Sequence, residues 1–313
     1  MLVKLLIAVI AWRIYCSNWL VQGQNAADCG KITVMKLDID AFLQGLTPEK
    51  GYSQNTVAAY RNDLTQLVAF INAEQAKGLI QSYDEILKSY LLKLREKRYS
   101  AATTARKIAS AKSFFKFMVA SGRMKENPTR KLPSFQVGKH SLTFLSSAEY
   151  QRLLAEAAKL STPEARRDTM MLELLYATGL RISELVSLNV KDIDLKQNCV
   201  HINTKRRVPF ERRLNPILGD FIRNDRLDLL YDETVEALFL NRRGQRLTRQ
   251  GFWQIIKGYA SKAGLGDKVT PRTLRHSFAR RKLQSGTELS QLQQLLGHAY
   301  ISSTRIYKQS ASG

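Results

Sequence analysis

TPRTLRHSFARRKLQSGTELSQLQQLLGHAYISSTRIYKQ, residues 270–309, sets most of the architecture of the second half of the chain. Thr270 before Pro271 predicts a helix start, with a hydroxyl to cap free amides and a proline whose fixed φ suits the first helical position. Counting on, Arg272, Arg275 and His276 fall at the three and four spacing of one helical face, while Leu274, Phe278 and Leu283 point into a core. A second helix through Leu289, Leu292, Leu295 and Leu296 stops at Gly297, a C-terminal cap, and leaves His298 on a turn. Ser302 or Ser303 then caps a last short helix carrying Tyr307. This layout collects polar groups around one cleft without burying them unpaired.

Upstream, ATGLRISEL at residues 177–185 supplies a further arginine. Thr162-Pro163-Glu164 opens a helix that ends near Gly179; Arg181 begins the next, and Glu184, three residues on, shares its face and can orient it. Between the two blocks, Cys199 to Asn203 and Val208 to Phe210 predict short strands joined by the basic turn Thr204-Lys205-Arg206-Arg207. Arginine grips phosphate oxygens through a planar fork that keeps its charge, and tyrosine can act as a covalent nucleophile. Alone, each of these residues reads as structural. Together, in a basic chain, they point to a phosphodiester in DNA.

The first half is helical. Val57, Tyr60, Leu64, Leu67, Val68 and Ile71 form one amphipathic stripe, Ile86, Leu87, Tyr90, Leu91 and Leu94 a second, and Ile108, Ala111, Phe115 and Met118 a third. Lys112 and Lys116, four apart on that third helix, are expected to face DNA phosphates. Gly122 and Pro128 break the pattern, and the stretch from Asn127 to Leu142, with Pro128, Pro133 and Gly138, reads as a linker. Ser146 or Ser147 then caps a helix carrying Tyr150, Leu153, Leu154 and Ala157.

At 313 residues, 44% of them hydrophobic, the chain has material for two domains with their own cores. A formal charge of +22 makes an acidic polymer the expected partner, and nucleic acid is preferred over a membrane surface. Cys16, Cys29 and Cys199 form neither a CxxC nor a metal-type spacing, which argues against disulfides and a zinc site and for a reducing compartment, here the cytoplasm. Residues 1–21 superficially resemble an export signal, but Arg13 interrupts the apolar run and no small-residue cleavage site follows; residues 1–34 read as an N-terminal extension from a mis-assigned start in preference to an export signal or a functional extension, with Met35 opening the folded part.

Four blocks in order, ATGLRISEL, LFLNRRG at 238–244, TLRHSFA at 273–279, and LLGH at 295–298 with Tyr307 nine residues later, resemble the tyrosine recombinase (lambda-type integrase) family, nearest its Xer-type members. The resemblance implies a mainly α protein: a helical core-binding domain over 35–134, a linker over 135–142, and an α+β catalytic domain with a small antiparallel sheet over 143–313. It implies that Arg181 and Arg275 clamp the scissile phosphate, that His298 hydrogen-bonds it and helps handle the tyrosine proton, and that Tyr307 attacks phosphorus to give a 3′-phosphotyrosyl link. Lys205 would be the general acid to the leaving 5′-oxygen, with Arg206 its competitor. Arg206 and Arg207 are further DNA contacts, and Glu184 and His276 support the site from behind. No metal, ATP or other cofactor is implied; the partner is a double-stranded recombination site, bound by a homo- or heterotetramer on two duplexes.

Arg272 stands where the family usually has histidine, and it donates hydrogen bonds but does not readily shuttle a proton. The hairpin turn is shorter than in Xer-type relatives, and only Lys308 to Gly313 follow the tyrosine. Resolution of chromosome or plasmid dimers is the leading role. A mobile-element integrase, a catalytically weakened DNA-binding protein and a strand-relaxing topoisomerase stay open.

Overall fold

The computed structural model describes residues 38–46, 52–77, 82–133, 142–202 and 206–309, and the chain divides into two compact units, Met1–His140 and Ser141–Gly313. The expectations for residues 1–34, for most of the linker and for Lys205 fall outside the described residues.

In the first unit a helical segment over 38–44 accompanies α1 (Gln54–Ala76), α2 (Tyr83–Glu96) and α3 (Ala101–Ala120). Ser53, Ser82 and Ser100 each accept a hydrogen bond from an amide three residues on, so every labelled helix starts where a hydroxyl satisfies a free donor. The stripes meet as expected: Leu64, Leu67 and Ile71 of α1, Ile86, Leu87 and Leu94 of α2, and Ile108, Phe114 and Phe115 of α3 form one core. A polar group within it was not foreseen. Asp63 is 1% exposed and accepts from Lys107 Nζ at 3.0 Å, with Arg106 as a second partner, while Lys107 also reaches Gln66 Oε1 at 2.8 Å. A buried carboxylate needs such partners, because isolated it would cost several kcal/mol or more. Lys116 is exposed, but Lys112 donates to the carbonyls of Leu132 (2.9 Å) and Pro133 (3.5 Å), which ties its ammonium to its own chain.

The second unit is built around α5 (Pro163–Thr178), buried on nearly every side from Arg167 onward. Against it pack α4 (Ser147–Ala158), closed by a capping box between Ser146 and Glu149, and α9 (Pro271–Gln284), capped by Thr270. Between them in sequence lie α6 (Ile182–Ser187), α7 (Leu214–Asp220) and α8 (Arg249–Lys262); α10 (Leu289–Leu296) and α11 (Ser302–Gln309) close the chain against α9. The sheet is antiparallel, ordered β1 (Ile193–Asp194), β2 (Cys199–Ile202) and β3 (Arg206–Pro209).

Three points differ from the sequence reading. β1 was missed, being two residues long and without alternation. Arg206 and Arg207 are not turn residues: they pair with Ile202 and His201 in β3, because Val208 between them and the buried Phe210 fixes the pleat. Ser302 is the first residue of α11 rather than a cap preceding it. No helix among the described residues is long and apolar enough to cross a membrane.

Candidate active site

Helix ends build the site. α5 stops because Gly179 takes φ +62°, and the turned chain presents Gly179 O to Arg275 NH1 at 2.7 Å. α10 stops in the same way at Gly297, φ +62°, and there Leu296 O accepts from Arg275 NH2 at 2.6 Å and Gly297 O from Arg181 NH2 at 2.8 Å. Two helix termini whose carbonyls lack intrahelical donors thus hold the two arginines side by side. Phe278 packs so closely on Gly179 that a Cβ there would lie 2.2 Å from its ring.

Arg181, Arg272, Arg275, His276, His298 and Tyr307 all line one cleft. Arg275 is 7% exposed, and burial pulls its pKa down to about 10, with the like charge of Arg181 adding to the effect. Glu184 counters this charge. Its carboxylate accepts from the Arg181 amide at 2.7 Å and guanidinium at 2.8 Å, and lies 2.7 Å from Arg206 NH2 and 4.0 Å from Arg275 NH1. Burial pushes the Glu184 carboxyl up, but the Arg181 amide and the Arg206 and Arg181 guanidiniums outweigh it and leave the group below the usual range. The Arg206 contact is an ion pair off the hydrogen-bond line, and its Nε is buried with no hydrogen-bond partner.

Donor chemistry fixes the protons of His298. Its Nε2 lies 3.1 Å from Arg275 NH2, which can only donate, so Nε2 accepts. Its Nδ1 therefore carries the proton and donates to Thr304 Oγ1 at 2.9 Å, on a threonine with no exposed surface. Burial and the charges of Arg275, Arg181 and Arg206 push this imidazole down to about 4, in keeping with a neutral ring. The Tyr307 hydroxyl sits 2.8 Å from His276 Nδ1, and its ring lies near parallel to that of His298 at 6.4 Å. Burial raises the pKa of Tyr307, which the arginines 275, 272 and 181 oppose.

The structure therefore brings together six of the residues read from the sequence, with Glu184 behind them. Arg207 is exposed on β3 and lines a separate basic pocket with Arg206 and Lys282. Thr304 was missed; a threonine six residues beyond a histidine carries no pattern that would single it out. Also unforeseen is the convergence of Asp194, Cys199 and His201 within 4.8 Å, created by the β1–β2 register rather than by any spacing of cysteines. There burial raises the Cys199 thiol pKa, and Sγ lies 3.6 Å from His201 Nε2.

Paired arginines, Arg275 buried and Arg181 exposed, with a tyrosine hydroxyl and a histidine on one cleft define a site suited to phosphoryl transfer through tyrosine. Residues 143–313 match the Phage integrase family, and residues 39–122 its N-terminal SAM-like domain. The chain is 44% identical over 280 residues to "Tyrosine recombinase XerC" of Roseiflexus sp. (strain RS-1), covering 87% of this chain and 89% of that protein. It is 38% identical to "Tyrosine recombinase XerD" of Pseudomonas aeruginosa, covering 86% and 91%. In fold it is similar to the XerH site-specific recombinase bound to palindromic difH substrate, with TM-score 0.69 at 18% identity, covering 92% of this chain and 94% of that one. The chain belongs to the phage integrase family of tyrosine recombinases, and its likeness there is to Xer-type members.

Proposed function

We propose that this protein is an Xer-type site-specific DNA recombinase that cleaves and rejoins DNA through a 3′-phosphotyrosyl intermediate. The observation that carries this reading is the placement of the Tyr307 hydroxyl in one cleft with Arg181, Arg275 and His298. Arg181 and Arg275 hold the nonbridging oxygens of the scissile phosphate and stabilise the charge that grows on them in the transition state. Arg272, exposed at the cleft, adds a donor to the same phosphate. Tyr307 Oη attacks phosphorus; the Tyr–O–P bond forms as the P–O5′ bond breaks, and Lys205 protonates the departing 5′-oxygen. The intermediate keeps the energy of the broken bond, so a 5′-hydroxyl from a second duplex reverses the step without ATP or metal.

A helical domain over 35–134 and a catalytic domain over 143–313, joined by a linker over 135–142, are part of this proposal; the division near His140 and the separate family matches to 39–122 and 143–313 support it. Four protomers on two duplexes, a cytoplasmic setting and resolution of chromosome or plasmid dimers complete the proposal, supported by the Xer-type relatives. To test it, the purified chain is incubated with a nicked suicide duplex from the dimer-resolution region of its own host, and adducts are resolved on a denaturing gel. An adduct absent from Tyr307→Phe, which still binds the duplex, is the expected result. Binding with no adduct from the unaltered protein would refute the enzymatic reading.

A further inference from the structure

We infer that His276 is the general base that takes the proton of Tyr307. This rests on the recombinase reading and deepens it, because the family pattern leaves the tyrosine proton to His298 or to a histidine at the position Arg272 fills. Neither is placed for it here. Both nitrogens of His298 are committed, Nε2 as acceptor from Arg275 and Nδ1–H as donor to Thr304. Arg272 and Arg275 are donors only. His276 Nδ1, by contrast, lies 2.8 Å from the Tyr307 hydroxyl, within the reach required of a proton acceptor.

The surroundings keep His276 ready. Burial, then the charges of Arg272 and Arg275, push its pKa down to about 4, so at neutral pH it carries a lone pair. With its proton on Nε2, the ring offers Nδ1 to the phenol. Phe144 packs edge-on against the imidazole, ring centres 6.4 Å apart, and limits its rotation. When a phosphodiester enters among the arginines, its negative charge offsets the repulsion that disfavours imidazolium and raises the basicity of His276 as the attack begins. The step is balanced: the Tyr307 O–H proton passes to Nδ1 as the Oη–P bond forms, and the P–O5′ bond breaks with a proton from the general acid. On rejoining, the His276 imidazolium returns its proton to the leaving tyrosine oxygen. Arg272 and His276, four residues apart on α9, line the same cleft, so a base at either position could reach it.

The test is single-turnover adduct formation on the nicked suicide duplex, followed against pH, for the unaltered protein, His276→Gln and His276→Ala. Glutamine can accept the hydroxyl hydrogen bond but cannot take its proton, so the rate should fall by about 10²–10⁴-fold with duplex affinity unchanged. Added imidazole should restore part of the His276→Ala rate, in proportion to neutral imidazole. In an Arg272→His background the loss from His276→Gln should shrink at least tenfold. A His276→Gln rate equal to or above that of the unaltered protein would show a hydrogen bond that merely holds the tyrosine, and would overturn this assignment while leaving the recombinase reading intact. Failure of imidazole to rescue His276→Ala, with its melting temperature unchanged, would overturn it equally. Absence of any Tyr307-dependent adduct from the unaltered protein would remove both.

Discussion

Replacing Gly179 by alanine should damage the catalytic unit more than any other glycine change in the cleft. Gly179 ends α5 at φ +62°, where an L-residue pays about 1–2 kcal/mol. The added Cβ would also lie 2.2, 2.8 and 2.9 Å from three atoms of the Phe278 ring, which is 1% exposed and enclosed by α10 and α11. A buried ring cannot move aside cheaply, so overpacking adds roughly 1–3 kcal/mol. The sum, about 2–5 kcal/mol, corresponds to about 4–20 °C in the melting of a unit this size. Gly297 is the built-in control. Its φ is also +62°, but its Cβ would meet the guanidinium end of Arg206, a flexible tip that can swing away at the expense of its ion pair with Glu184, so Gly297→Ala should cost the conformational share and that one contact, with no buried ring to displace. Calorimetry on the full chain, following the transition of residues 141–313, reads both. Combining Gly179→Ala with Phe278→Leu should recover the overpacking share as a favourable coupling. Equal melting temperatures for the two alanine variants would refute the steric reasoning.

Titration should separate two parts of the site. The pKa values of His276 and His298 fall to about 4 in the fold, against about 6.5 in the open chain, so the unfolded state binds more protons between those values. Stability of the unit should therefore drop as pH falls from about 6.5 to about 4, and His298→Gln should flatten that slope in urea titrations. The lowered pKa of Glu184 places its stabilising contribution above its unfolded pKa of about 4.3, to be lost as pH falls further, and Glu184→Gln should flatten only that acid limb. Thr304→Val keeps the shape but leaves the His298 Nδ1–H without an acceptor; a stability loss of about 1 kcal/mol in urea unfolding and a slower adduct rate are expected, and an unchanged rate would mean that His298 is held by other contacts.

What could be read in the sequence was what lies close along the chain. Thr270-Pro271, Ser146 or Ser147, and Gly179 and Gly297 announce helix ends through capping chemistry confined to one turn, and the structure has those ends, with Ser146 as the cap of α4. The three-and-four spacing of Arg272, Arg275 and His276 likewise survived folding as a shared cleft. What was not legible depends on contacts between distant segments. Arg206 looks like a turn residue until β3 registers against β2 and carries it to Glu184 and Gly297. Asp63 looks like a solvent-facing residue of an amphipathic helix until α3 brings Arg106 and Lys107 over it. The role of His276 depends on α11 folding back 31 positions later to place a hydroxyl against it, a distance no local pattern reports.

The charge at the cleft also discriminates between ground and transition states. One carboxylate, Glu184, faces three guanidiniums, those of Arg181, Arg206 and Arg275, and three positive charges less one leave +2, which Arg272 at the cleft brings to a total of +3. A phosphodiester brings −1, whereas on the proposed mechanism the phosphorane-like arrangement reached by attack of Tyr307 carries a second negative charge on the same oxygens. The site is thus over-charged for the substrate and better balanced by the transition state, which is the condition under which binding energy lowers a barrier instead of deepening the bound state. Arg206→Gln should lower the net charge by one and leave Glu184 to the amide and guanidinium of Arg181. The adduct-forming rate should then fall by more than the duplex affinity, on the order of tenfold or more for the loss of one such donor. A variant that binds the duplex more weakly but reacts at the unaltered rate once bound would place Arg206 in uniform binding and would contradict this electrostatic division of labour.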